Sequence, residues 1–485
     1  MMLYNFITIA FRNLARNKVF SAINIFGLAI GIACAALIFL WVEDEVTFDN
    51  FHEKKERLYL VRVNQKYDRS FLTHSSTPGV LAPAMQAEIP GVANTCRTTE
   101  GQTSLLFSVG DKSMYASGKY AEGSLFTMFT LPFVQGDAST AFSQVHSLVI
   151  TEATAKKFFG NEQQVVGKTV RVDNKQDYVV TGVLKDLPAN STLQFEWISP
   201  FDIYFQKSPW AHEWGNGSIS TYVELKPGVA AASIDKALYN YIQQRAPASI
   251  SHPFLFGMSN WHLYDQFENG TMTGGGQIQY ARLFLLIAWI ILIIACINFM
   301  NLATARSEKR AKEVGVKKVL GAGKNRLIAQ FMTEAFVTSV IACIAAVIIV
   351  LLVLPAFNTI VQKQLSPGLV NPVHIAALLA IILLCGVGAG FYPSLYLSSF
   401  NPVYVLKGVK LKAASAAFIR KSLVVTQFTI SITLIISTIL IYQQIQHIKS
   451  RPLGFNKENL LEVSIQGGFK DQQRKGLTSI RFGAN

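Results

Sequence analysis

The sequence predicts an α-helical integral membrane protein of about five transmembrane helices, with a large α+β extracytoplasmic domain inserted after the first. Three observations predict this. Half of the 485 residues are hydrophobic and only 15% are charged, at a mean hydropathy of +0.30, a composition that suits a membrane protein with a sizeable water-soluble part. Apolar runs at 19–42, 283–304, 332–354, 373–397 and 422–442 are each long enough, at ~1.5 Å per residue, to cross a hydrocarbon core of ~30 Å. Charge is also unevenly spread. Residues 43–281 hold 19 Lys and Arg against 24 Asp and Glu, a net of −5, so the remainder carries +19 within a chain total of +14. That positive charge clusters in turns beside the apolar runs. Basic turns resist translocation and fix sidedness. With no basic face interleaved with stacking aromatics, nucleic-acid binding is excluded as the meaning of the charge.

Residues 1–18 form a cytosolic amphipathic lead-in helix: Phe6, Ile9, Ala10 and Leu14 can share a face, while Arg12, Arg16 and Lys18 gather near the first span. The run at 19–42 is too long for a cleaved signal peptide and closes on no A-x-A site. Cys34 does not mark a lipoprotein cleavage site, because Gly31 stands where a bulky aliphatic belongs. Gly27 and Gly31 make a small-xxx-small pair that lets another helix approach, although ordinary membrane-helix glycine content accounts for it equally well.

Within the inserted domain, residues 43–281, Leu58 to Val63 alternates as a strand. Ser76-Thr77-Pro78 can start a short helix ended by Pro90-Gly91. Thr151 can cap a helix over Glu152–Phe159 that stops at Gly160. Strands at Lys168–Val172 and Tyr178–Val183 flank a hairpin turn. Thr221 to Leu225 forms another strand, and a helix is expected over Ser233–Arg245. Strands and helices mix without a βαβ rhythm, hence α+β.

The second span at 283–304 leads into a basic cytosolic loop, 305–331, that contains a short amphipathic helix with Gly321 as a natural stop. The third span, 332–354, is followed by an outer loop, 355–372, whose only basic residue is Lys363. The fourth span, 373–397, carries Gly386, Gly388 and Gly390. Lys407, Lys410, Lys412, Arg420 and Lys421 make the loop at 398–421 cytosolic. After a fifth span at 422–442, residues 443–485 lie outside. There Phe455-x-Lys457-Glu458-x-Leu460-x-x-Val463 echoes Phe51-x-Glu53-Lys54-x-x-x-Leu58-x-x-Val61, as the start of a second extracytoplasmic domain cut short.

Sites of chemistry are scarce. Gly321-Ala322-Gly323-Lys324 lacks the first Gly of a phosphate loop, has Asn325 in place of Ser or Thr, and follows no strand. His212-Glu213 lacks the second His of a zinc motif, and no Cys pair has metal-ligand spacing. No metal or cofactor is expected, and no catalytic residue. Ionisable groups inside the spans are limited to Glu334 and His374 near span ends, where water or headgroups are in reach; this argues against a solute path through the spans.

Glu308-Lys309-Arg310-x-Lys312-Glu313-Val314-Gly315-Val316-Lys317-Lys318-Val319-Leu320-Gly321-Ala322, followed by Ile328-x-x-Gln330-Phe331-x-x-Glu334-Ala335, resembles the signature of FtsX/MacB-like permeases of ABC transporters. Asn13-Leu14 with Arg16-Asn17-Lys18, Ala155-x-x-Phe158-Phe159-Gly160 and Val179-x-x-Gly182-Val183 agree with it. Tyr392-Pro393 through Pro402-x-x-Val405-Leu406-Lys407-Gly408 agrees as well. The chain looks like the large duplicated permeases common in Bacteroidota, here in a truncated or split form ending at Asn485.

The resemblance implies a permease subunit that is not itself an enzyme. In it Lys312, Glu313, Val314, Gly315, Val316, Lys317, Lys318, Leu320, Gly321 and Ala322 would form the helix that couples to a cytosolic ATPase dimer. By their spacing within the spans, independently of the resemblance, Gly27, Gly31, Gly386 and Gly390 are expected to serve helix packing. ATP-driven closure would move the spans and, through them, the MacB-like periplasmic core domain. The implied setting is the bacterial inner membrane, with the N-terminus cytosolic and the main soluble domain periplasmic. The partners would be a second permease copy or the missing half, a periplasmic adaptor or lipoprotein, and the lipid bilayer. The competing readings are a membrane-anchored sensor or receptor, which would want a cytosolic output domain, and an anchored extracytoplasmic enzyme, which would not need the amphipathic helix.

Overall fold

The computed structural model describes residues 2–68, 70–305, 307–399 and 414–451. The Pro402–Gly408 motif and the expected second domain beyond residue 451 lie outside the described residues. The described residues divide into a helical unit, Met1–Asp44 with those from Ala281 onward, and a sheet unit over Glu45–Tyr280.

Two helices open the chain, α1 (Met2–Arg16) and α2 (Lys18–Val46). The sheet unit follows with strands β1 (Leu58–Lys66), β2 (Phe71–His74), β3 (Val92–Thr99), β4 (Thr103–Val109), β5 (Lys112–Ala121), β6 (Phe133–Gln135), β7 (Ser147–Thr151), β8 (Thr169–Val172), β9 (Gln176–Leu184), β10 (Trp197–Pro200), β11 (Ile219–Leu225) and β12 (Ser251–Gly257), and a small β13–β14 ribbon (Phe267–Glu268 and Thr271–Met272). Helices α3 (Leu81–Glu88), α4 (Leu125–Met128), α5 (Glu152–Phe159), α6 (Phe201–Gln206) and α7 (Ala231–Leu238) lie between them.

The strand order β10-β7-β9-β8-β4-β5 closes on itself, because β10 also pairs in parallel with β5. Closure removes two edges and encloses a core keyed by Trp197 and Phe107, both fully buried. At Gly118 on β5 a Cβ would come within 2.1 Å of the Trp197 carbonyl oxygen and 2.4 Å of its ring, so only glycine permits the β5–β10 contact. The sheet continues from β5 as antiparallel β3-β11-β1-β12. Along β11 the alternation is clean. Val223 and Leu225 face α3 and α7 through Met85 and Leu238, and Tyr222 faces Phe256 and Trp261 on the other side.

Local signals decided the short elements where they were unopposed. Helix α5 is capped by Thr151, whose Oγ1 accepts the Thr154 N–H at 3.3 Å, and ends at Gly160 with φ +66°. Asp173 and Asn174 take φ +51° and +56° in the β8–β9 turn, the left-handed pair that a tight hairpin requires. Two expectations shift. Thr77 does not cap a helix; its hydroxyl donates to the Ile219 carbonyl at 2.7 Å and meets the Thr221 hydroxyl, so the segment stays extended and α3 begins at Leu81. The helix expected over Ser233–Arg245 stops at Leu238, and hydrogen-bonded turns through Tyr241 and Arg245 complete the segment.

The helical unit resumes with α8 (Gln277–Ala305), α9 (Ser307–Val319), α10 (Lys324–Val361), α11 (Pro372–Ser398) and α12 (Ala414–Ser450). Helices α2, α8, α10, α11 and α12 are long and apolar enough to cross a membrane. An integral membrane protein with an inserted α+β domain is thus the fold that the composition implied. Helix α10 runs past Pro355 to Val361, where Gln362 turns left-handed (φ +56°), so the connection expected at 355–372 shortens to Gln362–Asn371. Helices α2, α8, α10 and α11 share one core. Among the described residues none of α12 joins it, and those of α12 are all exposed or half-buried.

Candidate functional site

The helix α9 and the residues bracing it form the candidate site. Ala311, Val314 and Gly315 recur at helical spacing and are buried; the first two pack on Leu327 and Phe331 of α10 and Leu397 of α11. The helix ends in a Schellman arrangement: the Ala322 N–H donates to the Lys317 carbonyl at 2.9 Å and the Gly321 N–H to the Lys318 carbonyl at 3.0 Å, with Gly321 at φ +91°. The expected stop at Gly321 is therefore a complete cap, one that returns the chain at once into α10 with Gly323 as its N-cap residue. A helix, not a strand, precedes Gly321, which agrees with the exclusion of a phosphate loop.

Among the described residues, the opposite face of α9 has no buried apolar side chain. Val316 is 49% exposed, Val319 64% and Leu320 81%. Lys317 braces the helix: its Nζ donates to Glu313 Oε1 at 2.7 Å along the same helix and to Gln330 Oε1 of α10 at 3.2 Å. Partial burial, then the neighbouring Lys324, lower the pKa of the Lys318 ammonium. Lys312 lies on the same helix. Helix α9 thus presents a small apolar patch beside Lys317 and Lys318, on a helix braced from behind.

Beneath the helix lies a junction that sequence reasoning missed. Glu334, expected to reach water, is 8% exposed. Its carboxylate accepts from Arg310 of α9 (2.5 and 3.2 Å) and from Asn13 Nδ2 of α1 at 2.6 Å. A lone carboxylate in an apolar run was the available signal, since such a group needs a cation; the partner is 24 residues back across a turn. His374, the other expected span-end group, pairs with Glu43 at 2.8 Å.

The four glycines noted for packing lie on helix contacts. A Cβ at Gly31 would come within 2.5 Å of Ala295 on α8, and one at Gly27 within 3.1 Å of Asn298. On α11, a Cβ at Gly386 would come within 2.5 Å of the Phe336 ring and one at Gly390 within 2.6 Å of Ala335, both on α10. Among the described residues there is no cluster of three or more His, Cys, Asp or Glu able to hold a metal.

Comparison with known proteins bears on the two units separately. Residues 21–241 match the MacB-like periplasmic core domain, and residues 285–402 match the FtsX-like permease C-terminal domain. The chain is 26% identical over 260 residues to the macrolide export ATP-binding/permease protein MacB of Aggregatibacter actinomycetemcomitans, covering 52% of this chain and 38% of that protein. It is 23% identical over 419 residues to the pyoverdine export ATP-binding/permease protein PvdT of Pseudomonas syringae pv. syringae, covering 83% and 59%. The chain therefore spans less than two thirds of the length of either relative. The crystal structure of the periplasmic region of MacB from Actinobacillus actinomycetemcomitans aligns with a TM-score of 0.32 at 20% identity, over 42% of this chain and 91% of that one.

Proposed function

The chain belongs to the FtsX/MacB-like ABC transporter permeases, and we propose that it couples ATP hydrolysis by a separate cytosolic ATPase to movements of its periplasmic domain. The observation that carries this reading is the exposed face of α9. Val316, Val319 and Leu320 project from a helix that is capped, braced by Lys317 and packed on α10 and α11. An apolar patch rimmed by cations on a rigid helix suits insertion into a groove of a soluble partner. The absence of unpaired charge among the described spans supports force transmission over passage of a solute through this bundle.

In this reading the spans are 19–42, 283–304, 332–354, 373–397 and 422–442 in the bacterial inner membrane. The N-terminus and the segments 305–331 and 398–421 are cytosolic, 43–281 and 355–372 are periplasmic, and 443–485 opens a further periplasmic segment. A second permease copy or half completes the assembly, and export or the handling of a lipoprotein or peptide is the output.

Co-purification tests the reading. Val316→Glu with Leu320→Glu alters two exposed side chains and no packed one, so membrane insertion should persist while ATPase recovery falls at least about tenfold, as for loss of a small hot spot. Recovery at the wild-type level would sink it. Glu substitutions at Lys317 and Lys318, or Gly315→Pro, should weaken association by disturbing the brace and the helix.

A further inference from the structure

The exposed face of α9 accounts for where a motor would push, but not for what carries the push onward. Glu334 answers to that role by position. It lies in α10, and its buried carboxylate is the meeting point of three helices: Arg310 reaches it from α9 and Asn13 from α1, the latter 321 residues away in sequence. Thr338, one turn on, closes its hydroxyl onto the Glu334 carbonyl at 2.8 Å, so the backbone at this point is held as well.

Beside the carboxylate is a cavity of about 60 Å³ whose lining includes Asn13, Asn24, Arg310, Glu334 and Ser394. Asn24, on α2, is 5% exposed, and its Oδ1 has no hydrogen-bond partner. A buried acceptor left unpaired costs about 1–3 kcal/mol. A guanidinium carries five N–H donors, more than one carboxylate can take, and Arg310 borders the same cavity. The junction thus has room, a surplus of donors and an unfilled acceptor. Those are the ingredients of two discrete arrangements, which transmission through packed helices requires.

We propose that Glu334 is the positioning residue that carries displacement of α9 to α1 and α10, with Arg310 exchanging one hydrogen bond on Glu334 for one on Asn24. The inference rests on α9 being the coupling helix. Displacement of α9 along its axis pulls Arg310, and Glu334 passes that pull to the base of α10 directly and to α1 through Asn13. Substituting the carboxylate should leave the docking face intact and interrupt the response behind it.

Amide hydrogen exchange on the full chain in proteoliposomes tests this, with and without the co-purifying ATPase bound to a non-hydrolysable ATP analogue. In the wild type, protection changes are expected at α9, where the partner binds, and also at α1 and the first turns of α10. In Glu334→Gln the change at α9 should remain and the change at α1 should disappear; Glu334→Asp should restore part of it. Asn13→Ala, which spares the ion pair, should abolish the α1 response alone, and it serves if the Glu334 variant does not fold. An α1 response of wild-type size in both Glu334→Gln and Asn13→Ala overturns the proposal. Should no ATPase bind the wild type, the coupling reading fails by itself. The junction is then judged by basal exchange: loss of a charge-assisted bond should speed exchange in α1 about tenfold in Glu334→Gln, and unchanged exchange overturns it.

Discussion

The sheet unit and the helical unit are held together by opposite means. In the sheet unit large side chains fill shaped holes: Trp197 donates its indole N–H to the Ala116 carbonyl at 2.9 Å and lies against Phe107 and Tyr120. In the helical unit small residues bring backbones together: Gly31 meets Ala295, Gly390 meets Ala335, and Gly386 receives the Phe336 ring. Water explains the difference. A domain in water gains most by burying large apolar area. Helices surrounded by lipid gain little that way and depend on close approach and a few polar ties. A keyed plug admits one arrangement, whereas small-residue seams joined by a polar junction can slide between a few.

Removing the plug should have the largest effect. Trp197→Ala should cost about 3–5 kcal/mol in chemical unfolding of the sheet unit, with the helical unit unaffected. A loss below about 1 kcal/mol would break the contrast, since the ring would then not be keyed.

Acid should act next, through a buried histidine of the sheet unit. His52 is fully buried, its Nδ1 accepts the Thr130 N–H at 3.1 Å, and its pKa is lowered to about 4 by burial and then by Lys55. The unfolded chain takes up that proton near pH 6.5 and the native state resists it until about 4. Stability therefore rises with pH through this window, and about 3 kcal/mol is lost on acidification across it. His52→Asn should flatten that slope; an unchanged slope would assign the loss to other groups.

Violating the seams should cost less than removing the plug. In Gly31→Leu or Gly390→Leu the new Cβ would stand 2.5 or 2.6 Å from the facing alanine, for about 1–3 kcal/mol of overpacking. SDS-induced unfolding should show the loss, and melting of the sheet unit should not move. Equal damage to both units would mean that they do not respond independently.

Much of this was legible in the sequence, and what was not has physical reasons. Apolar runs declare themselves because lipid demands them, and Thr151, Gly160 and the Asp173–Asn174 turn declare themselves because backbone conformation is a local property. Closure of the ring was invisible: β10 is four residues long and its partner Gly118 lies 79 positions from Trp197, so no periodicity marks the pair. Thr77 misled because a hydroxyl that can cap a helix can equally bridge a sheet, and distant Ile219 decided the matter. The site divided along the same line. Cation spacing and Gly321 outlined α9, whereas Glu334 with Arg310 and Asn13 depends on how three helices converge.

Gly321→Ala is the mildest change and the most discriminating, because it tests whether α9 must be rigid for its exposed face to matter. At φ +91° a Cβ is strained even though nothing crowds the position. The cost should be about 1 kcal/mol, felt only at the end of the helix. The bonds from Gly321 and Ala322 back to Lys318 and Lys317 would open about fivefold more often, and exchange of those two amides should rise to match. The buried contacts of Ala311 and Val314 are a turn or more away and should hold, so exchange in the first half of α9 should stay unchanged. If the second half frays while ATPase recovery is undiminished, the patch at Val316, Val319 and Leu320 does not need a rigid base, and the contrast between a fixed handle and a sliding bundle fails at the handle.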